Sequence, residues 1–307
     1  MHRDIELVPD KDALLSYRKA GRVASQALAH GAKQVKPGVS MREVLDSVEE
    51  LIIKRGCGIA FPAQSSVNKI AAHFCPTDTD DIIYDDGMVI KIDVGAHHDG
   101  YIGDNAVTID LGGQHQDLIH AARDALAAME RTLKPGCTQN DVGNAINNAI
   151  TAHGMLPIRN LSGHGVARFQ IHTEPSMPNF PTNERFALVE NQVVAVEPFA
   201  TNGTAGLIYN GSNPTVFTLG AIRPLRTQYG RDTLSLAQKY NGLPFTTRWL
   251  TRKLGSKALL GLADLRRAGM LNEYPPLPEK SGGLVAQFEN TFLITKDGCK
   301  VLTRDDD

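Results

Sequence analysis

Apolar positions fall into two rhythms along this chain, and each rhythm predicts a kind of element. Over residues 13–33 and again over 115–133 they recur at three- and four-residue spacing, as in a helix that buries one face. Each stretch ends at a break, Lys36-Pro37-Gly38 and Lys134-Pro135-Gly136, where proline cannot continue a helix. Ser40 and Thr138 then take N-cap positions, with Glu43 and Asp141 three residues on, so a second helix is predicted after each break. The two stretches repeat one pattern at an offset of 98 residues: Val44 matches Val142, Val48 matches Ile146, Ile52 matches Ile150 and Gly56 matches Gly154. We read this as a duplicated α/β unit whose halves meet at a pseudo-two-fold axis, which makes a natural cleft.

Apolar runs of strand length follow the helices. Residues 88–95 and 102–111 are predicted to pair as a hairpin about the Asp99-Gly100 turn, and 193–199, 284–295 and 300–303 read as further strands. Residues 204–270 differ in character. Segments 232–241, 246–254 and 256–268 read as helices, with Trp249 and Leu250 as core anchors. The expectation is an α/β (α+β) fold in which one catalytic domain, 1–307, carries 204–270 as a helical insertion.

Composition narrows the class. Of 307 residues, 42% are apolar and 21% charged, and the net charge is −2, ordinary values for a soluble globular protein. That balance indicates neither nucleic acid nor an anionic membrane as partner. Cys57, Cys75, Cys137 and Cys299 are scattered without a CxxC pair, which suits a reducing compartment. The opening MHRDIELVPDKD is too polar for a secretory signal, and no apolar run approaches the ~20 residues of a membrane span. A cytoplasmic protein is expected.

The strands carry the chemistry. Asp93 interrupts the apolar run 89–95 and Asp104 lies in the next strand. A carboxylate in such a run is expensive unless paired or bound to metal. With an even-residue turn near 98–100, paired numbers sum to an odd value, so Asp93 and Asp104 share a face, opposite or diagonally adjacent. Two close carboxylates repel, and a divalent cation resolves the conflict better than a proton does. His164 sits between Gly163 and Gly165, where the backbone can come close to a site. Glu197 and Glu289 each occupy an apolar strand. Four carboxylates and two dications sum to neutrality, and one imidazole among carboxylates suits an open dinuclear site for Mn, Fe, Co or Zn. Such a pair can activate a water and clamp developing charge.

The segments KIDVGAHHDGYIGDNAVT, LSGHGV, AVEPFAT and AQFENT resemble the metal-binding segments of methionine aminopeptidases of the pita-bread fold. The resemblance covers nearly the whole chain. About 90 residues separate Glu197 from Glu289, which resembles the type II, archaeal-like members. It implies removal of the initiator methionine from nascent polypeptides by two divalent metal ions on Asp93, Asp104, His164, Glu197 and Glu289. Asp93 would chelate one ion, Asp104 and Glu289 would bridge both, and His164 and Glu197 would complete the other. It further implies that Glu197 moves protons, that His73 contacts substrate, and that His172 polarises the scissile carbonyl. Phe61, Ile171 and Tyr274 would line the methionine pocket. A monomer is expected, in transient contact with the ribosome. Two departures from the family pattern are Asn290, where a histidine is usual, and Thr173-Glu174-Pro175, where Ala-Gly is common. The alternatives of the same fold are a proline-directed peptidase and a non-catalytic relative that binds ribosomes or RNA. The first usually carries an extra N-terminal domain, and the second typically loses ligands that are all filled here.

Overall fold

A computed structural model describes residues 7–305; the first six residues of the polar N-terminal stretch lie outside the described part. The repeat seen in the sequence governs the architecture. Helix α1 (Lys11–Gln34) and α2 (Met41–Lys54) pack on strands β1 (Gly58–Val67), β2 (Val89–His98) and β3 (Tyr101–Asp110). The second half opens with α3 (Gln116–Thr132) and α4 (Gln139–Ala152), and α4 spans the residues that an offset of 98 from α2 predicts. Its turns match as well. Gly38 (φ 83°) and Gly136 (φ 85°) take the left-handed conformation that glycine alone adopts at little cost. Their amides donate to Tyr84 O and Leu188 O respectively, each at 2.8 Å.

The caps of the two copies differ. Thr138 and Asp141 form a reciprocal capping box, whereas the Ser40 side chain makes no cap hydrogen bond. Both cap residues also form an isolated bridge, Ser40 with Ile83 and Thr138 with Ala187.

Beyond α4 come β4 (Leu156–Pro157), β5 (Ser162–Ala167), β6 (Gln170–Pro178), β7 (Val193–Val196) and β8 (Phe199–Thr201). The chain then runs through β9 (Val216–Leu219), α5 (Gln228–Ala237), β10 (Phe245–Thr246), α6 (Thr247–Leu254), α7 (Lys257–Arg267) and β11 (Leu271–Tyr274). It closes with β12 (Val285–Gln287), β13 (Asn290–Ile294) and β14 (Cys299–Val301). Sheets of order β1-β2-β3, β14-β13-β7-β5-β6 and β12-β8-β4 build the body, and β10-β9-β11 forms a small sheet apart.

The runs 193–199 and 284–295, expected as continuous strands, each break in the middle. β7 and β13 pair in the five-stranded sheet, while β8 and β12 pair in another. Both segments therefore cross between sheets at the same level, and the crossing residues are Glu197-Pro198 and Phe288-Glu289. Proline 198, with no N–H to give a ladder, marks one crossing. Each half has its own apolar core, and a third cluster that includes Tyr17, Phe61, Ile102, Val166, Ile171 and Leu293 joins them.

Segment 204–270 contains the expected helices together with strands β9 and β10, and β11 completes their sheet just beyond it. Phe217, Phe245, Leu250 and Leu262 form its core, and Leu250 is fully buried. It is tied to α2 by charge. The fully buried Arg248 donates to Asp46 and to Glu49 (2.7 Å), and Trp249 Nε1 donates to Glu49 Oε2 at 2.8 Å. Arg252 adds Asp46 and Asp78, each at 2.8 Å. Among the described residues no helix is long and apolar enough to cross a membrane.

Candidate metal centre

The β2–β3 register pairs Asp93 with Ala106 and Gly95 with Asp104, so the two aspartates share one face on a diagonal. Ala106 also bridges Glu289: its carbonyl accepts Glu289 N–H at 3.0 Å. The hairpin of the first half is thereby fastened to the sheet crossing of the second. Thr291 reinforces the joint, accepting Asp104 N–H at 2.8 Å and donating to Asp104 O at 2.9 Å.

His164 lies on β5, beside Ala195 of β7. Its flanking glycines serve the neighbouring strands more than the site. A Cβ at Gly163 would lie 2.3 Å from Ala195 O, and one at Gly165 would lie 2.2 Å from Glu174 O. The imidazole Nδ1 faces Gly165 O at 3.2 Å, leaving Nε2 3.9 Å from Asp104 Oδ2 and 3.8 Å from Glu197 Oε1. Burial, then the neighbouring His172, lowers the His164 pKa to about 3. A neutral imidazole that donates one N–H to a backbone carbonyl keeps its other nitrogen free as a metal ligand.

Ligand atoms of Asp104, His164 and Glu289 lie within 4.8 Å of one another. Asp93, Glu197, Phe61, His73, Ile171, His172 and Tyr274 line the same cavity, of about 60 Å³, so all ten residues singled out in the sequence meet there. Burial drives the Asp93 carboxyl up to about 7. Asp104, Glu197 and Glu289 are also raised, first by burial and then by one another's charge and that of Asp93. Asp93 Oδ1, Asp104 Oδ1 and Glu289 Oε1 are buried with no hydrogen-bond partner. Buried carboxylate oxygens without donors are costly, and these point to cations that complete them. One imidazole with hard oxygen donors fits divalent metal ions, and the residues present fit the group.

Gln287 was not singled out by sequence reasoning. It is buried at the end of β12, two residues before Glu289. Its Nε2 donates to Glu197 Oε2 and Glu289 Oε2, both at 3.2 Å. Thr108 holds the Gln287 backbone, donating to its carbonyl at 2.6 Å and accepting its N–H at 2.7 Å. Its place as a polar residue in an apolar run, two residues before Glu289, is the signal that could have found it.

His73 adopts φ 66°, strained for a residue with a Cβ, and its N–H donates to Gln64 Oε1 at 2.9 Å. Its ring meets Tyr274 edge-on at 5.6 Å, and Nδ1 is buried without a partner. Burial, then His172, lowers its pKa to about 4. His172 stands at the mouth, edge-on to His164 at 4.4 Å, and its pKa is lowered by desolvation between the cleft walls. Of the two departures, Asn290 accepts from Thr303 Oγ1 at 2.9 Å, beside the cavity lining. Glu174-Pro175 is a cis peptide on β6.

Residues 16–296 match metallopeptidase family M24. A methionine aminopeptidase of Archaeoglobus fulgidus is 40% identical over 287 residues, which cover 93% of this chain and 97% of that one. Among solved structures, a thermophilic Arx1 superposes with a TM-score of 0.85 at 19% identity, covering 95% of this chain and 91% of that one. A methionine aminopeptidase of Thermotoga maritima gives 0.70 at 23% identity, covering 98% and 100%. At these identities the two structures establish the shared fold, while the family match and the full-length archaeal relative extend it to lineage. The chain belongs to metallopeptidase family M24 and, within it, with the methionine aminopeptidases.

Proposed function

We propose that this protein removes the initiator methionine from polypeptides at a site holding two divalent ions, Co, Mn, Fe or Zn, on Asp93, Asp104, His164, Glu197 and Glu289. The observation that carries this is the set of three buried, unpartnered carboxylate oxygens, of Asp93, Asp104 and Glu289, in the one cavity that the neutral His164 also lines. Bound there, the ions supply Lewis acidity toward the scissile carbonyl and activation of a water.

The chain's own residues do the rest. Burial, then the charge of Asp93, raises the Glu197 carboxyl, which favours it as the group that takes a proton and returns it to the leaving amine. His172, held neutral, donates an N–H to the developing oxyanion rather than pairing with a carboxylate. His73 has an unpartnered nitrogen in the cavity wall for the substrate backbone. Phe61 and Ile171 are buried apolar walls, and with Tyr274 they form the slot for an unbranched thioether side chain. We further read 204–270 as an insertion within a single catalytic domain, and the protein as a cytoplasmic monomer that meets nascent chains in transient contact with the ribosome.

Incubation with Met-Ala-Ser and Ala-Pro peptides, with and without chelator, tests the reading. Release of methionine that stops with chelator and is absent from Asp104→Asn supports it. Cleavage of Ala-Pro instead points to a proline-directed enzyme, and turnover that survives both chelation and Asp104→Asn overturns the metal assignment.

A further inference from the structure

We propose that the leaving polypeptide, beyond its first few residues, runs out along a groove between α2 and α6, which selects chains carrying an apolar side chain followed by acidic ones. This rests on the aminopeptidase reading and extends its site.

The active-site cavity does not end at the metal residues. A second cavity, of about 170 Å³, shares Ile171, His172, Pro244 and Tyr274 with it. A third, of about 610 Å³, shares Leu243 with the second. The second and third also meet across the rings of Phe169 and His97, whose centroids are 5.5 Å apart. The three linings overlap in series, with the buried Leu243-Pro244 between the inner and outer parts, and the leaving chain would follow that series. An extended chain covers roughly 3.3 Å per residue, so about six residues span some 20 Å of such a path.

The outer groove suits a polypeptide more than a compact metabolite. Its walls are helix faces: Glu50 and Ile53 on α2, Trp249 and Lys253 on α6, with Tyr240 and Leu243 on the turn between α5 and α6. Ile53 is 62% exposed, and the Tyr240 and Trp249 rings lie 5.2 Å apart, giving an apolar shelf open to solvent. Charge gives the shelf its preference. Asp46 is engaged by Arg248 and Arg252, and Glu49 by Arg248 and Trp249. Lys239 and Lys253 are exposed on the rim, and among the described residues no salt bridge joins either to an acid, so these two cations outnumber Glu50, the one exposed acid of the lining. Another concavity beside His164 and His172 opens along β6, but Ser162, Gln170, Thr173 and Glu174 make it polar, with no shelf for an apolar side chain.

Trp249 is the one tryptophan of the chain, so its emission reads the groove directly. Three probes suffice: Met-Ala-Ser, Met-Ala-Ser-Gly-Phe-Gly-Glu-Glu, and the same octapeptide ending in Lys-Lys. The acidic octapeptide is expected to exceed the tripeptide in kcat/KM by about tenfold, the scale of one apolar contact and one or two surface charge pairs, and the Lys-Lys octapeptide by about fivefold, the scale of the charge pairs alone. It should shift Trp249 emission, which the tripeptide should leave alone. The double variant Lys239→Glu, Lys253→Glu should reverse the order of the two octapeptides. Equal kcat/KM for all three with unchanged emission would sink the exit path. A length advantage indifferent to the charge reversal also overturns it. If metal-loaded protein leaves Met-Ala-Ser intact, the aminopeptidase reading fails instead, and emission still reports on the groove by itself.

Discussion

Around one small cavity this chain buries four carboxyl groups, and every one is pushed toward its protonated form by lack of water, with a neighbour's charge adding to the push at all but Asp93. The two histidines beside them differ in what they can offer. His164 turns Nε2 toward Asp104 and Glu197, while His172 sits edge-on to it at the mouth. The substitutions should separate accordingly. His164→Ala should lower the metal content of purified protein, read by elemental analysis, together with turnover. His172→Ala should keep its metal and lose roughly 10²–10³ in kcat, the usual worth of one oxyanion donor. Loss of metal in both variants, or in neither, would reject the division of roles. Gln287 shows what residue-level reading overlooks. An amide carries no charge and no motif, and its importance comes from two carboxylates that converge on it from distant segments.

At the scale of elements, the paired helices of the two halves were legible almost to the residue because proline, glycine and cap residues act locally, whereas α5, expected at 232–241, starts and ends four residues earlier. The two copies then supply a test of capping within one protein. Thr138→Ala should cost about 1 kcal/mol in denaturant unfolding, whereas Ser40→Ala, whose hydroxyl makes no cap bond, should cost less than about half of that. The difference depends on pH with a definite sign. Hydrogen bonds from the Thr138 backbone and side chain hold the Asp141 pKa below its usual value. The reciprocal cap is therefore fully present above pH ~4 and is lost as pH falls through the lowered value. The gap between the two variants should narrow in acid; a gap constant down to pH 2 would mean that the carboxylate does not matter. Strands were less legible, for a physical reason. The parity of the Asp93–Asp104 pair follows from a two-residue period, but where a strand changes sheet is decided by its partner. Nothing local to 284–295 announces that β12 follows β8 while β13 follows β7. The two-residue β10 and four-residue β9 were equally invisible, being strands only because Phe245 and Tyr274 happen to lie beside Phe217 and Val216.

For the whole molecule, the metal centre is also the seam. Asp93 and Asp104 come from the first α/β half, and His164, Glu197 and Glu289 from segments after it, so ions held by all five would cross-link the halves. Charge is divided across the molecule too: 204–270 holds ten Lys and Arg against two Asp and Glu, leaving 22 against 32 elsewhere. The composition, read as a single balance near zero, hid that division. Stability should reveal the seam. In chelated protein the carboxyls titrate at higher pH when folded than when unfolded, so the folded state holds protons that the unfolded state has already released. Stability without metal must then fall as pH rises from ~4 through about 7, the value to which Asp93 is pushed. Binding ions only to the folded chain reverses the slope, because metal competes with those protons, and adds about 2.7 kcal/mol at a hundredfold excess over Kd. Thermal unfolding at pH 5 and pH 8, with chelator and with Mn or Co, measures both effects. Metal should raise Tm more at pH 8 than at pH 5, and the double variant Asp104→Asn, Glu289→Gln should abolish the difference. Equal metal-induced shifts at the two pH values would mean that these carboxyls are not the groups the ions displace protons from, and the seam would have to be sought elsewhere.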